Sequence, residues 1–418
     1  MPTATARFYV RRRLLKGAGS AMLALMTNSG TTHQASASSQ ARCRARANGE
    51  SSITLFLCGD VMTGRGIDQV LPHPADPTLH EPFVTSARDY VALAERANGP
   101  IAWPVDFSYV WGDALYEWTR RDPDLRIVNL ETTLTRATEP VPKGINYKMS
   151  PDNVPCLGAA GIDCCTLANN HVLDWGQAGL TESLETLEGA KLAYAGAGRD
   201  LRRAWAPAIL DARGTGRILV FAAAAPSSGV PSSWAAAEDR PGIAFLPRLT
   251  AAEVRRQARR IAAIRKPGDI VIVSLHWGGN WGYEVPDGQR MFAHGLIEEA
   301  GVDIVHGHSS HHAKGIEVHR GKLILYGCGD FINDYEGISG HGTYRSELPL
   351  MYFVTLAPAS GQLLRLEMVP MRLRKFRLQR ASRSESLWLR NMLNREGASL
   401  ATRVEPAEHH ALELCWAK

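Results

Sequence analysis

Short apolar runs alternate with polar loops and helical stretches from Ile53 onward. Several runs are apolar throughout, which is typical of parallel strands buried on both faces. The predicted strands are Ile53–Cys58, Leu125–Asn129, Ile162–Leu167, Leu192–Ala195, Arg217–Ala223, Asp269–Leu275, Val302–His306 and Lys322–Tyr326. Apolar residues at helical spacing predict helices over Thr181–Leu187, Thr250–Ile264 and Arg290–Ala300. This alternation predicts an α/β core.

The second half of the sequence adds hairpins to this pattern. Gly315–His319 and Lys322–Tyr326 flank a short turn, and Leu350–Leu356 and Leu363–Met371 flank a second one. An α/β core with two layers of sheet between helices accommodates both kinds of connection. Residues 72–124, rich in proline and aromatic residues, are interpreted as an insertion.

Charge is unevenly placed along the 418 residues, whose net charge is +5. Residues 1–50 hold eight Lys or Arg and one acid, so the remainder carries −2. A basic terminus of this kind does not indicate a nucleic-acid surface, and we expect no nucleic acid among the partners.

The N-terminus has the pattern of an export signal. Arg11-Arg12-Arg13-Leu14-Leu15-Lys16, a weakly apolar stretch and Ala35-Ser36-Ala37 resemble a twin-arginine signal with its cleavage site, although a disordered basic tail is the alternative. We predict an export signal over 1–37, a flexible leader over 38–50, a main domain over 51–371 and a basic strand and helix extension over 372–418 that packs on it. The mature protein is expected at the periplasmic or extracellular face, free of a membrane anchor.

Side chains that bind metals or transfer protons follow six of the apolar runs directly. Ligands of open α/β sheets bind beyond the carboxyl ends of the strands, so these clusters are expected to meet in one crevice. Carboxylate, amide and imidazole donors without thiolate suit Mn²⁺, Fe²⁺, Zn²⁺ or Mg²⁺. The clusters are Asp60 with Arg65, Glu131, Asn170-His171 with Asp174, His276-Trp277, His306 through His311, and Asp330.

The order of these motifs resembles the CapA/PgsA family, named for bacterial poly-γ-glutamate capsule synthesis. The motifs are Asp60, Asn129-Leu130-Glu131, Asn169-Asn170-His171-x-x-Asp174-x-Gly176-x-x-Gly179, His276-x-Gly278 and Gly307-His308-Ser309-Ser310-His311. The resemblance spans about residues 53–357. That family is similar to the calcineurin-like metallophosphatases, so the resemblance implies a four-layer α/β/β/α sandwich of the metallo-dependent phosphatase type.

The resemblance also implies roles for individual residues. His171 would be the general acid, oriented by Asp174. The implied metal ligands are Asp60, Glu131, Asn170, His276, His308 and His311. Three departures weaken one metal position: Met62 replaces the His of an Asp-x-His motif, Glu131 replaces an Asp, and the Gly-His-x-His loop is one residue longer. We therefore expect one divalent metal ion rather than two, with an empty site as the alternative.

Four further residues are candidates for substrate contacts. Arg65, assigned to the catalytic group, and Lys148 could bind a carboxylate or phosphate. Trp277 could line the crevice and stack on substrate, and Asp330 could contact substrate or orient a histidine. Ordinary surface charge or packing is the alternative for each.

Three functions fit these observations. The first is a metal-dependent hydrolase-like protein of poly-γ-glutamate capsule or exopolymer biosynthesis, acting on an anionic polymer or peptide alongside a membrane-bound synthase complex. The second follows from a resemblance, through the same motifs, to a peptide epimerase that needs no metal and would use His171, His276 and His311. The third is a non-catalytic subunit that binds a polyanion through Arg372–Arg383.

Overall fold

The computed structural model describes residues 51–338, 340 and 342–417. The chain divides into two units, residues 1–40 and 41–418, and every element below belongs to the second. The predicted export signal and leader lie outside the described residues. Among the described residues, no helix combines the length and the apolar character needed to cross a bilayer.

The strands occur in the following order along the described part of the chain. They are β1 (Ile53–Val61), β2 (Leu125–Leu130), β3 (Thr133–Leu134), β4 (Lys148–Met149), β5 (Cys164–Thr166), β6 (Ala193–Ala195), β7 (Ala197–Gly198), β8 (Ala208–Asp211), β9 (Arg217–Ala224), β10 (Gly242–Ile243), β11 (Ile270–His276), β12 (Ile304–His308), β13 (Ile316–His319), β14 (Lys322–Leu325), β15 (Asp330–Ile332), β16 (Leu350–Leu356), β17 (Leu363–Arg374), β18 (Arg377–Arg380), β19 (Thr402–Pro406) and β20 (Leu412–Trp416). All eight predicted strands are confirmed within a few residues at their ends.

The helices lie between the strands and at the C-terminal side of the chain. They are α1 (Gly66–Val70), α2 (Ala87–Asn98), α3 (Ala114–Arg121), α4 (Pro155–Ala159), α5 (Gly176–Gly189), α6 (Leu201–Ala204), α7 (Ala251–Ala262), α8 (Asp287–Glu298) and α9 (Arg383–Gly397). The three predicted helices correspond to α5, α7 and α8.

Side-chain caps mark where the amphipathic helices begin. Thr250 accepts a hydrogen bond from the backbone N–H of Glu253 at the start of α7. Ser382 and Glu385 form a reciprocal capping box at the start of α9. Such caps satisfy backbone N–H groups that have no partner inside the helix.

Two large sheets form the centre of the molecule. One has the order β19-β20-β17-β16-β1-β2-β5-β6, with β15 beside β1 and β18 beside β17. The other has the order β13-β14-β12-β11-β9-β8. In the first sheet β1, β2, β5 and β6 are parallel, and in the second β9, β11, β12 and β14 are parallel. The β13–β14 and β16–β17 pairs are antiparallel, which confirms both predicted hairpins.

The alternation of side chains along β9 and β11 shows how the layers stack. Even-numbered apolar residues of both strands belong to the hydrophobic core shared with the first sheet, and odd-numbered ones belong to a core shared with α7 and α8. Hydrogen bonds from Ser274 Oγ to Thr166 Oγ1 (3.3 Å) and between His306 Nε2 and the Cys58 carbonyl oxygen (2.7 Å) join the two sheets.

The outer face of the first sheet is covered by helices. Trp118 of α3 packs edge to face on Phe56 of β1, with ring centroids 5.0 Å apart. Leu180 and Leu184 of α5 join the same core. Helix, sheet, sheet and helix therefore follow in that order, and the predicted α/β/β/α sandwich is confirmed.

Candidate metal centre

The carboxyl ends of four central strands place their polar side chains together. β1 ends with Asp60 and Val61, β11 with His276 and β12 with His308, while Glu131 follows β2 directly. His276 and His308 are register partners on adjacent parallel strands. Asp60, Glu131, His276 and His308 are buried. These four side chains therefore lie together at one rim of the sandwich, as the sequence predicts.

Asp60, His276 and His308 form a candidate ligand set, each offering one ligand atom within 4.8 Å of the others. His276 Nδ1 lies 2.8 Å from His308 Nδ1. Asp60 Oδ1 lies 3.7 Å from His308 Nδ1 and 4.0 Å from His276 Nδ1. Burial lowers the pKa of both histidines well below the ordinary value, so both rings are neutral, the form that binds metals.

A second group of donors faces the other ring nitrogen of His276. His276 Nε2 lies 2.8 Å from Asn170 Oδ1 and 3.9 Å from Glu131 Oε1. Glu131 Oε2 is buried and has no hydrogen-bond partner among the described residues. Burial raises the pKa of Glu131 well above its ordinary value, and nearby Asp60 adds to the effect.

These observations fit a divalent cation. A buried carboxylate oxygen without a donor carries a desolvation cost that a cation would offset. Burial, with the Asp330 carboxylate next in effect, also raises the pKa of Asp60 to about 7. Imidazole, carboxylate and amide donors without thiolate match the expected Mn²⁺, Fe²⁺, Zn²⁺ or Mg²⁺.

His171 and Asp174 form the acid–base pair that the resemblance implies. His171 Nδ1 lies 2.6 Å from Asp174 Oδ2, which also accepts a hydrogen bond from the Tyr147 backbone N–H at 2.6 Å. His171 Nε2 points the other way and lies 3.8 Å from Glu131 Oε1. Burial lowers the pKa of His171 to about 4 despite Asp174. The carboxylate thus fixes the ring so that Nε2 faces the centre.

Lys143 is a functional candidate that sequence reasoning missed. Its ammonium donates to Asp174 Oδ1 at 2.7 Å and to the Asn170 carbonyl oxygen, and lies 3.4 Å from His171 Nδ1. It comes from the loop between β3 and β4 and not from a strand end. A lysine between Pro142 and Gly144 carries no spacing signal, so only the folded loop reveals this contact.

His311 is close to the centre but outside the ligand set. His311 Nδ1 lies 2.9 Å from Asp330 Oδ1, and Asp330 Oδ2 accepts a hydrogen bond from Asn333 Nδ2 at 2.8 Å. Burial alone would lower the pKa of His311, but Asp330 outweighs it and raises that pKa. Asp330 therefore lies where it can orient a histidine, the second of the two roles predicted for it, and its contact with substrate stays a prediction.

Arg65 does not present a free charge to a ligand, which corrects its assignment as a catalytic anion partner. Its guanidinium donates to Asp334 Oδ2 (3.1 Å) and Oδ1 (2.5 Å), to Glu81 Oε1 (2.8 Å) and to Tyr90 Oη (3.0 Å). Two buried carboxylates therefore compensate the charge. The guanidinium also lies 3.9 Å above the Tyr90 ring and 4.3 Å above the Tyr147 ring.

Lys148 and Trp277 are also corrected. Lys148 Nζ lies 4.0 Å above the Trp175 ring and donates to the Ala137 carbonyl oxygen at 3.4 Å. Trp277 is buried in the core shared with α7 and α8, and its indole N–H donates to the Tyr326 carbonyl oxygen at 3.0 Å. Packing, and not substrate contact, explains both side chains.

A cavity of about 400 Å³ adjoins the centre. Its walls include Arg65, Tyr90, Tyr147, Trp281, His311 and Tyr335. Tyr147 Oη donates to Tyr335 Oη at 2.9 Å, and the Tyr147 ring packs edge-on against His171 with centroids 4.4 Å apart. The aromatic wall therefore connects the cavity to the acid–base pair.

The chain is similar to several known proteins. The family model described as "Bacterial capsule synthesis protein PGA_cap" matches residues 54–335. A probable polyglutamine synthesis accessory protein of Mycobacterium tuberculosis is 48% identical over 364 residues, covering 87% of this chain and 96% of the relative. The PGA biosynthesis protein CapA of Bacillus subtilis is 30% identical over 192 residues, covering 46% of this chain and 48% of the relative. A solved phosphatase structure from Mycoplasma pneumoniae aligns with a TM-score of 0.43 at 12% identity, covering 77% of this chain and 94% of that one.

Proposed function

The chain belongs to the bacterial capsule synthesis protein PGA_cap family, and from that premise we propose that it is an accessory protein of poly-γ-glutamate synthesis with a metal-dependent hydrolase site. The bond cleaved would be an amide or ester of an anionic polymer or peptide. The names of the relatives, which refer to polyglutamine and PGA synthesis, support the pathway. The candidate metal centre supports the proposed hydrolysis.

One observation carries the hydrolase proposal: a buried carboxylate oxygen without a partner, Glu131 Oε2, beside the Asp60, His276 and His308 ligand set. An unpaired buried carboxylate oxygen is costly, and a divalent cation held beside it would offset that cost. These three ligands, joined by Glu131 and Asn170 on the other face of His276, would hold one divalent ion. When bound, such an ion polarises a carbonyl or phosphoryl oxygen and lowers the pKa of a bound water.

The residues around the centre would position the substrate and move the proton. With Nδ1–H donated to Asp174, neutral His171 carries its lone pair at Nε2, which faces the centre. His171 can therefore take a proton at Nε2 and deliver it to the leaving group. Lys143 balances the charge of Asp174. The aromatic wall formed by Tyr147 and Tyr335 excludes water from one side of the reacting group.

Metal analysis tests the proposal directly. Protein purified without chelator should contain about one equivalent of a transition metal at the centre and should cleave poly-γ-glutamate or a γ-glutamyl peptide. His308→Ala should lose at least tenfold in metal affinity, or about 1.4 kcal/mol. His312→Ala is the matched control, because its Nδ1 bonds only the Ala313 carbonyl oxygen, 3.1 Å away, outside the ligand set. Full activity with less than about 0.2 equivalents of metal would refute a metal-dependent reaction.

Export and assembly are part of the same proposal. We propose that the pattern over residues 1–37 directs the protein to the outer face of the membrane, where it acts beside a membrane-bound polymer synthase. Replacing Arg11 and Arg12 by Lys should retain the protein in the cytoplasm in cell fractionation. Unchanged export of that variant would refute the twin-arginine route.

The two alternative functions find less support. Two of the six basic residues in the run predicted for polyanion binding are compensated by carboxylates: Arg372 pairs with Glu385 and Arg380 with Glu117. The epimerase alternative would use His276 as one of its three histidines, yet His276 is enclosed by His308 and Asn170. Deuterium exchange at a peptide Cα in metal-stripped protein would favour the epimerase and count against the hydrolase.

A further inference from the structure

A second cluster of metal-binding side chains lies outside the centre, where α8 meets the edge strand β13. His294 and Glu298 are one helical turn apart on α8. Glu317 and His319 are two residues apart on β13, so their side chains share one face of the strand. Each pair therefore projects from a regular element in a fixed direction.

The four side chains are already in contact. His294 Nε2 lies 3.0 Å from Glu317 Oε1, and His319 Nε2 lies 2.8 Å from Glu298 Oε1. The two imidazole rings are stacked in parallel, with centroids 3.8 Å apart. One ligand atom from each of His294, Glu317 and His319 lies within 4.8 Å of the other two.

Glu317 is oriented for this contact by the protein interior. It is buried, and its Oε2 accepts a hydrogen bond from the hydroxyl of Tyr326 at 2.6 Å. That bond leaves Oε1 directed at His294. Metal-binding carboxylates are commonly held in this way by a second partner behind the ligand.

Two arginines supply the positive charge in the absence of an ion. Arg290 Nη2 lies 3.2 Å from Glu317 Oε1, and Arg320 Nε lies 3.0 Å from Glu298 Oε1. Their side chains are 39% and 66% exposed, so both can move into solvent when another cation occupies the cluster. Exposed ion pairs of this kind contribute little and compete weakly.

We propose that His294, Glu298, Glu317 and His319 form a second divalent-cation site, selective for ions of the Zn²⁺ type, that fastens α8 to β13. Two imidazole nitrogens and two carboxylate oxygens are an established donor set for tetrahedral Zn²⁺. On binding, the stacked rings separate so that each Nε2 lone pair, and no longer an N–H, faces the ion. The site also protects the edge of the six-stranded sheet, since β13 is its last strand.

Zinc titration of the chelator-stripped full chain tests this site separately from the centre. Calorimetry with Zn²⁺ alone should give two ions per wild-type chain and one per His276→Ala chain. Adding His294→Ala and His319→Ala to the His276→Ala protein should weaken the remaining site at least 100-fold, beyond the usual effect of an outer-shell change. Co²⁺ in place of Zn²⁺ should give the strong visible absorption of a tetrahedral complex in the His276→Ala protein.

Two further variants test whether misfolding explains a loss of Zn²⁺ binding. Glu298→Gln changes one partly exposed ligand and should still weaken Zn²⁺ binding, whereas Arg320→Gln removes a competing cation and should strengthen it by up to about fivefold. A His276→Ala protein that binds no Zn²⁺ at millimolar concentration would overturn the proposal. Zn²⁺ binding that the His294→Ala and His319→Ala changes leave intact would also overturn it, because the ion would then be elsewhere.

Discussion

Replacing Glu131 by Gln should change the stability of the protein in opposite directions with and without metal. In chelator-stripped protein, the buried carboxylate has one oxygen without a partner and shares its site with Asp60. Gln has nearly the same shape and no charge, and its amide can donate to Asp60. The variant should therefore be more stable than wild type when no ion is bound.

The size of the effect follows from the cost of an unsatisfied buried group. Leaving one such acceptor unpaired costs about 1–3 kcal/mol, so Glu131→Gln should raise the free energy of unfolding by about that amount at neutral pH. With metal at 100 times its dissociation constant, wild type gains about 2.7 kcal/mol. The variant should lose most of that gain, because a neutral amide oxygen is a weaker ligand than a carboxylate.

The pH dependence gives an internal control. The folded-state pKa of Glu131 lies well above its ordinary value, so wild-type stability from this group is present at low pH and is lost as pH rises from about 4.5 toward neutral. Gln does not titrate. The advantage of the variant in chelator should therefore be smallest near pH 4 and should grow as the pH rises above about 4.5.

Urea unfolding in chelator and in Mn²⁺ measures both effects. Glu117→Gln is the matched control, since Glu117 is also buried but is paired with Arg121 and Arg380. That control should lose about 1–3 kcal/mol in both conditions, because it weakens the buried hydrogen bonds to Arg121 and Arg380 while Arg121 keeps Glu367 as a partner. A Glu131→Gln protein that is less stable than wild type in chelator, or that keeps the full metal-induced gain, would refute the assignment of Glu131 to the centre.

Three other changes should give equally specific results. Gly59→Ala should abolish soluble folding in expression trials, because a Cβ there would lie 1.5 Å from the Gly329 carbonyl oxygen, while Gly158→Ala, with open space around it, should fold normally. Burial lowers the pKa of His306 to about 4, so the contribution of His306 to stability is present above pH 6.5 and is lost as pH falls toward 4. In acid titrations of the free energy of unfolding, His306→Gln should therefore reduce the slope between pH 6.5 and 4 by up to about 1.4 kcal/mol per pH unit. Lys143→Met should keep metal stoichiometry in elemental analysis but shift the pH profile of hydrolysis, and an unchanged profile would exclude Lys143 from the acid–base unit.

The fold and the meeting of the candidate ligand side chains could be predicted because both follow from local patterns. Strands buried on both faces are apolar throughout, and their ends are marked by the first polar residues after each run. Asp60, His276 and His308 each occupy such an end, so the topology of parallel strands brings them together.

The position of Trp277 follows from the alternation of side chains along a strand. Successive side chains of a strand point to opposite faces. Since His276 faces the space between the sheets, the next residue must face α7 and α8, as the hydrophobic core of the second sheet shows. Alternation alone would have removed Trp277 from the candidate site.

Other parts of the site depend on contacts that no local pattern records. Arg65 is compensated by Asp334, 269 positions away in the chain, and by Glu81 in the segment between β1 and β2. Lys143 reaches Asp174 from an irregular loop. A charged residue near a strand end can thus be free or fully paired, and only the tertiary arrangement distinguishes the two.

The departures from the phosphatase pattern are consistent with one ion at the centre. Met62 stands where that pattern has a histidine, and its sulfur accepts a weak hydrogen bond from Tyr335 Oη at 3.5 Å in the cavity wall. His311 is held at Nδ1 by Asp330 and lies outside the ligand set. His276, in contrast, has donors facing both ring nitrogens. Since the candidate donors concentrate around His276 and are fewer toward Met62, His311 and the aromatic wall line the cavity side of the centre.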